Sequence, residues 1–119
     1  MNVEVSNGEI IDKYTILLIK LDKISDVLKR KNIQVELMEI TPLVESLTLS
    51  KSIIDDLLQT NKILWNIEEY IRIKEKNQEF DLEFIELARN VYKTNTIRFN
   101  QKTKINSLTC SKIIEEKSH

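Results

Sequence analysis

Glycine, proline, cysteine and histidine each occur once in the 119 residues. A single glycine, Gly8, leaves few positions that accept positive φ cheaply, so tight β-hairpins and glycine-rich phosphate loops are excluded. A single cysteine, Cys110, excludes an internal disulfide and any site built from several cysteines. The lone histidine is the final residue, His119, which argues against a Ser-His-Asp triad and a histidine metal site. The longest apolar run, Ile16 to Ile19, is four residues, against the roughly 20 that a membrane span requires. Met1 to Glu9 lacks the basic-then-apolar pattern of a secretion signal. These absences lead us to expect one cytoplasmic domain over residues 1–119, away from membranes, with no cofactor and no metal.

What is present reads as helix. Ser6 and Glu9 form an S-x-x-E capping box, with Val5 and Ile10 placed as a hydrophobic staple. Ile10, Tyr14, Leu17, Leu21, Ile24 and Leu28 then repeat at helical spacing, predicting a first helix from Asn7 to about Arg30. Ile11, Ile16, Leu18 and Ile19 lie off that stripe, so this helix is either central in the fold or part of a homodimer interface. Lys31 to Ile40 reads as a connection. Thr41-Pro42 reads as N-cap and first helical residue of a helix reaching Lys76, with room for a break near Leu49-Ser50. Asn77 to Phe80 is a turn, and Asp81 caps a helix from Leu82 to about Ser107. The tail either extends this helix or folds back, anchored by Ile113 and Ile114. No segment alternates long enough for a strand. The expected fold is all-α: an antiparallel helical bundle of three to four helices with a long central hairpin.

The net charge of −1 hides a segregation. Residues 1–86 carry 11 basic and 17 acidic side chains, a net of −6, and residues 87–119 carry seven and two, a net of +5. No acid occurs from Leu87 to Ile114. Such a segment either complements acidic helices within the fold or receives an anionic partner.

A helical wheel divides these basic residues. Arg89, Lys93 and Lys104 face solvent, whereas Asn95, Arg98, Lys102 and Asn106 share the sector of Phe84, Val91 and Ile105. Asn61, Glu68, Arg72 and Glu75 likewise share the sector of Leu57, Leu64 and Trp65. An antiparallel hairpin about Gln78 brings Asn61 level with Asn95, and Glu68 within reach of Arg89 or Tyr92. It leaves Arg98 and Lys102 without an acid from the neighbouring helix. Their partners come from Glu9 or Asp12, from Glu115 or Glu116, or from a ligand, since a buried unpaired charge is costly. Arg98 presents a fork to phosphate or carboxylate, Lys102 adds a point charge, and Tyr92 with Trp65 offers an aromatic wall. The alternative role for the cluster is a buried polar network that sets helix register. Nucleic acid is disfavoured: the outer basic stripe is sparse, and no aromatic is interleaved with it. No nucleophile–base pair is readable. The acidic pairs Asp55-Asp56, Glu68-Glu69 and Glu115-Glu116 are adjacent and split across faces, unlike helical metal sites.

Several strings carry a family resemblance: GEIIDKYTIL from Gly8, NKILWNIEEYIR from Asn61, FIELARNVYKTN from Phe84, and EEKSH at the end. The chain resembles a bacterial domain-of-unknown-function family of small helical proteins with a GELIDKLTIL-like start and an EEKSY-like end. It departs from that pattern at Tyr14 and His119. The resemblance spans nearly the whole chain and implies no catalytic role; its only functional hint is an association with surface-glycan biosynthesis. The leading expectation is a non-enzymatic binding or accessory module for an anionic small molecule or acidic partner. Its candidate residues are Arg98, Lys102, Asn95, Glu68, Tyr92, Asn61, Arg72, Glu9 and Asp12. One alternative is a small enzyme acting on a phosphorylated or nucleotide-sugar metabolite, with Glu68 as acid or base. Another is a dimeric assembly module.

Overall fold

The computed structural model describes residues 1–118, and His119 lies outside the described residues. The fold is all-α: α1 (Asn7–Lys23), α2 (Val27–Ser46), α3 (Lys51–Lys76) and α4 (Leu82–Leu108), with no strand among the described residues.

The start of α1 follows the sequence signal. The Ser6 hydroxyl accepts the Glu9 N–H at 3.1 Å. Its end does not, because α1 stops at Lys23 and not near Arg30. Ile24 turns extended, and Asp26 starts α2 by accepting the Lys29 N–H at 2.9 Å. Arg30 reaches back to donate to the carbonyls of Leu21 and, at 3.0 Å, Ile24. These are carbonyls that the end of a helix leaves without partners. No glycine or proline marks the break, and Leu28 carries the apolar spacing across it although it is exposed.

Residues 31–40 are helical, not a connection, and Thr41-Pro42 starts nothing: Pro42 lies inside α2. The proline removes only the N–H that would reach the Met38 carbonyl, on a face open to solvent, so the helix tolerates it. The break near Leu49-Ser50 does occur, before α3 begins. Asp81 caps α4 as expected, accepting the Phe84 N–H at 2.9 Å. Beside that turn, Lys74 lies within 3.4 Å of Glu79, Asp81 and Glu83. Its ammonium is held above the ordinary lysine range, chiefly by the hydrogen bond to Asp81, and Asp81 is held low in turn by Lys74.

Positive φ does occur, without glycine. Thr48, Gln78 and Cys110 take φ of 50°, 55° and 51°, each just after a helix ends. Glycine usually fills that position, and a side chain there costs roughly 1–2 kcal/mol.

The main core joins Ile11 and Leu17 of α1, Ile33, Ile40 and Val44 of α2, Leu57 of α3 and Ile105 of α4. α1 packs against all three other helices. The helix is therefore central in the fold, with Ile11, Leu17 and Ile19 buried within one chain and Ile16 and Leu18 half-buried. α3 and α4 are longer than α1, about 40 Å against about 26 Å. The end of their hairpin near residues 77–81 outruns the core. α3 buries nothing after Ile67, and α4 buries nothing before Ile105. The radius of gyration, 15.9 Å, exceeds the roughly 13.5 Å of a compact chain of this length for the same reason.

Candidate functional site

The site begins with a carboxylate that no water reaches. Asp12 and Thr15, one turn apart on α1, are both 0% exposed, and Asn61 of α3 is nearly so. Arg98 of α4 grips Asp12 with two nitrogens: Nε donates to Oδ1 at 2.9 Å, and Nη2 donates to Oδ2. The Asn61 amide donates to Asp12 Oδ1 at 2.9 Å and to Thr15 Oγ1 at 2.8 Å. The Thr15 hydroxyl donates to the Asp12 carbonyl at 2.7 Å. A buried charge is tolerable only when paired and fully hydrogen-bonded, and this one is both.

Arg98 is not spent by that grip. Its side chain is 28% exposed, and Nη1 makes one long contact, 3.4 Å to the Asn95 Oδ1. The hydrogen bonds to Asp12 raise its pKa further, against burial, with help from the charges of Glu9 and Glu68. One turn on, Lys102 donates to Glu9 Oε2 at 2.6 Å and lies 3.4 Å from Glu115. Both core-side cations therefore find internal carboxylates, on α1 and in the tail.

The tail is docked on the start of α1. The Asn7 N–H donates to Ser111 Oγ at 3.0 Å, and the Gly8 N–H donates to Asn106 Oδ1 at 2.6 Å. With the Glu9 N–H on Ser6, the first three orphan donors of α1 are satisfied. Ser6 also donates to Glu115 at 2.9 Å. Burial works to raise the Glu115 carboxyl, but the hydrogen bond from Ser6 and the charge of Lys102 hold it below its ordinary value of 4.5. A lowered folded-state pKa gives a contribution that is complete above the unfolded value and lost as pH falls through the folded one. Amide resonances of residues 109–118 should therefore move together on acidification, with a midpoint below 4.5. A midpoint at or above that value contradicts the contact.

Outside the pair, the tail lays Lys117 along α4. Its ammonium donates to Thr96 Oγ1 at 2.7 Å and sits 5.4 Å from the Tyr92 ring centre and 5.9 Å from that of Phe99. Among the described residues it forms no ion pair with a carboxylate. Asn95, Arg98, Phe99, Lys102 and Lys117 line a small cavity of about 190 Å³. That is space for a group the size of phosphate or carboxylate, and three of the five lining residues are basic.

The structure brings together Arg98, Lys102, Asn95, Asn61, Glu9 and Asp12, with Tyr92 at the edge beneath Lys117. It corrects three expectations. Asn61 spends its amide on α1 and does not pair with Asn95, because α1 lies over the hairpin. Glu68 is exposed and acts on Arg98 only through its charge. Arg72 is exposed and paired with its helical neighbour Glu69, outside the cluster. Thr15 and Lys117 were not singled out from the sequence; Lys117 stands in the EEKSH string, but no periodicity places a tail. Among the described residues no group of three His, Cys, Asp or Glu could hold a metal ion, and no helix is long and apolar enough to cross a membrane.

Residues 1–119 match a protein family described as "Family of unknown function (DUF6165)". No curated protein and no solved structure matches the chain.

Proposed function

We propose that this chain, which belongs to that family of unknown function, is a non-enzymatic module that binds a small anionic group between Arg98, Lys102 and Lys117. One observation carries the reading: buried Asp12 holds the inner edge of Arg98, so the outer edge lines the cavity in a fixed orientation. A guanidinium already held in place loses little side-chain entropy on binding, and its fork suits phosphate or carboxylate. Glu9, Asp12 and Glu115 balance the three cations in number, and Lys117 is the one that makes no ion pair among the described residues. Binding is correspondingly weak, with Kd on the order of 0.1–1 mM for a single anionic group. Among the described residues no carboxylate lines the cavity, since Glu9 and Glu115 are bound to Lys102 and Glu68 is outside. The enzymatic alternative therefore has no acid or base placed for it.

Lys117 gives the cleanest test, because it touches no buried group. Saturating inorganic phosphate should raise the melting temperature of the wild-type protein. Lys117→Ala should weaken phosphate binding about tenfold, while unliganded stability changes by no more than about 0.5 kcal/mol. The proposal fails if phosphate leaves the wild type unmoved, or if Lys117→Ala responds as the wild type does.

A further inference from the structure

The part of the hairpin beyond the core carries a second feature. Ile85, Ala88, Arg89 and Tyr92 of α4 stand at i, i+3, i+4 and i+7, the four positions that frame a hole for a side chain from another helix. With Phe84 and Lys93 they line a shallow groove of about 600 Å³. Ile85 is 51% exposed and Tyr92 61%, and the small Ala88 forms the floor. Among the described residues no third helix covers this stretch, and only Lys117 of the tail reaches its end, over the Tyr92 ring, although most helical stability comes from tertiary packing.

The charge sequence says what would cover it. Beside the groove, Asp81 and Glu86 are exposed acids on its N-terminal side, and Arg89 and Lys93 are exposed cations from its centre onward. The sign reverses at the centre of the groove. A face that is acidic on one side of a point and basic on the other is complementary to itself when a copy is laid antiparallel about that point. Laid parallel, it sets like charge on like. We propose that a second copy of this chain packs antiparallel along α4, about a two-fold axis at Ala88-Arg89.

In that arrangement positions summing to about 177 come level. Ile85 of each copy meets Tyr92 of the other, filling the holes. Glu86, which now makes only an exposed 3.5 Å pair with Arg89 of its own helix, falls between Arg89 and Lys93 of the other copy. The two Arg89 side chains approach each other near the axis, each with a glutamate on either side. Asp81 comes level with Thr96 of the other copy, so each acidic turn lies alongside the other's basic segment. The contact is isologous and closes at two, as a two-fold interface must.

Sedimentation velocity at about 100 μM and low salt tests this, since an exposed charge-matched contact weakens as salt screens it. The wild type should sediment at twice the 14.0 kDa chain mass and dissociate as salt is raised. Ala88→Glu should give a monomer with an unchanged helical melt. Glu86→Arg and Arg89→Glu should each weaken association about tenfold, and the double exchange should recover most of the loss. A monomeric wild type overturns the proposal. So does a dimer that ignores Ala88→Glu, or one that the double exchange fails to restore.

Discussion

Arg98→Ala is expected to destabilise the protein by about 3–5 kcal/mol, because it strands Asp12 as an unpaired charge with no access to water. For a domain of this size that corresponds to a fall in melting temperature on the order of 10–20 °C. Asn61 alone cannot neutralise the carboxylate left behind. The cost arises from the orphaned partner, not from the worth of the pair, and this distinguishes the account from simple loss of a contact. Asp12→Ala should also destabilise, but the double variant should cost clearly less than the two single losses added together, since neither partner is then left behind. Thermal and urea unfolding of the four proteins measure this directly. Strictly additive losses would mean that Asp12 and Arg98 are not coupled as described. Arg98 is thus a poor residue for testing ligand binding and a good one for testing the fold.

Gly8→Ala carries the second large effect, and its sign is diagnostic. Within a helix, alanine in place of glycine is ordinarily worth up to about 1 kcal/mol of added stability. Here a Cβ would lie 2.6 Å from the Lys102 carbonyl oxygen and 3.0 Å from Asn106 Oδ1. The first of these is backbone in the middle of α4 and cannot swing aside. The start of α1 must lift instead, stretching the Gly8 N–H bond to Asn106 and disturbing the Lys102–Glu9 pair one turn away. We expect a loss of about 2–4 kcal/mol, combining overpacking with a strained buried hydrogen bond. A neutral or stabilising Gly8→Ala, read by chemical unfolding, would show that α1 and α4 do not approach this closely.

These two residues also mark where sequence reasoning held and where it stopped. The starts of α1 and α4 are legible, because Ser6 and Asp81 act within three positions of themselves, whereas α2 as a separate helix is not. The break after Lys23 is not legible either, because it depends on Arg30 reaching back from the next helix, and local spacing does not report that. Thr41-Pro42 misled for a similar reason: a proline on a solvated helix face costs little, so its presence does not fix a boundary. The polar cluster could be placed on helix wheels, and Asp12, Glu9 and Glu115 were among the acids foreseen for Arg98 and Lys102. Which acid served which base, and that Asn61 belongs with α1, depended on the packing of a third helix across the hairpin. Glycine scarcity excludes tight β-hairpins and phosphate loops but does not say what Gly8 itself does. The single glycine lets two helices touch, while Thr48, Gln78 and Cys110 take the left-handed turns.

The central claim is that Asp12 fixes Arg98 so that its outer edge, with Lys102 and Lys117, receives an anion. A phosphate titration followed by nitrogen–proton correlation spectra, including the Arg98 Nε–H resonance, tests it most directly. The account predicts saturable shifts confined to Asn95, Arg98, Phe99, Lys102 and Lys117, with a common Kd and with the amides beside Asn61 unmoved. Shifts that fail to saturate, or that fall on outward cations such as Lys93 and Lys104, would contradict it.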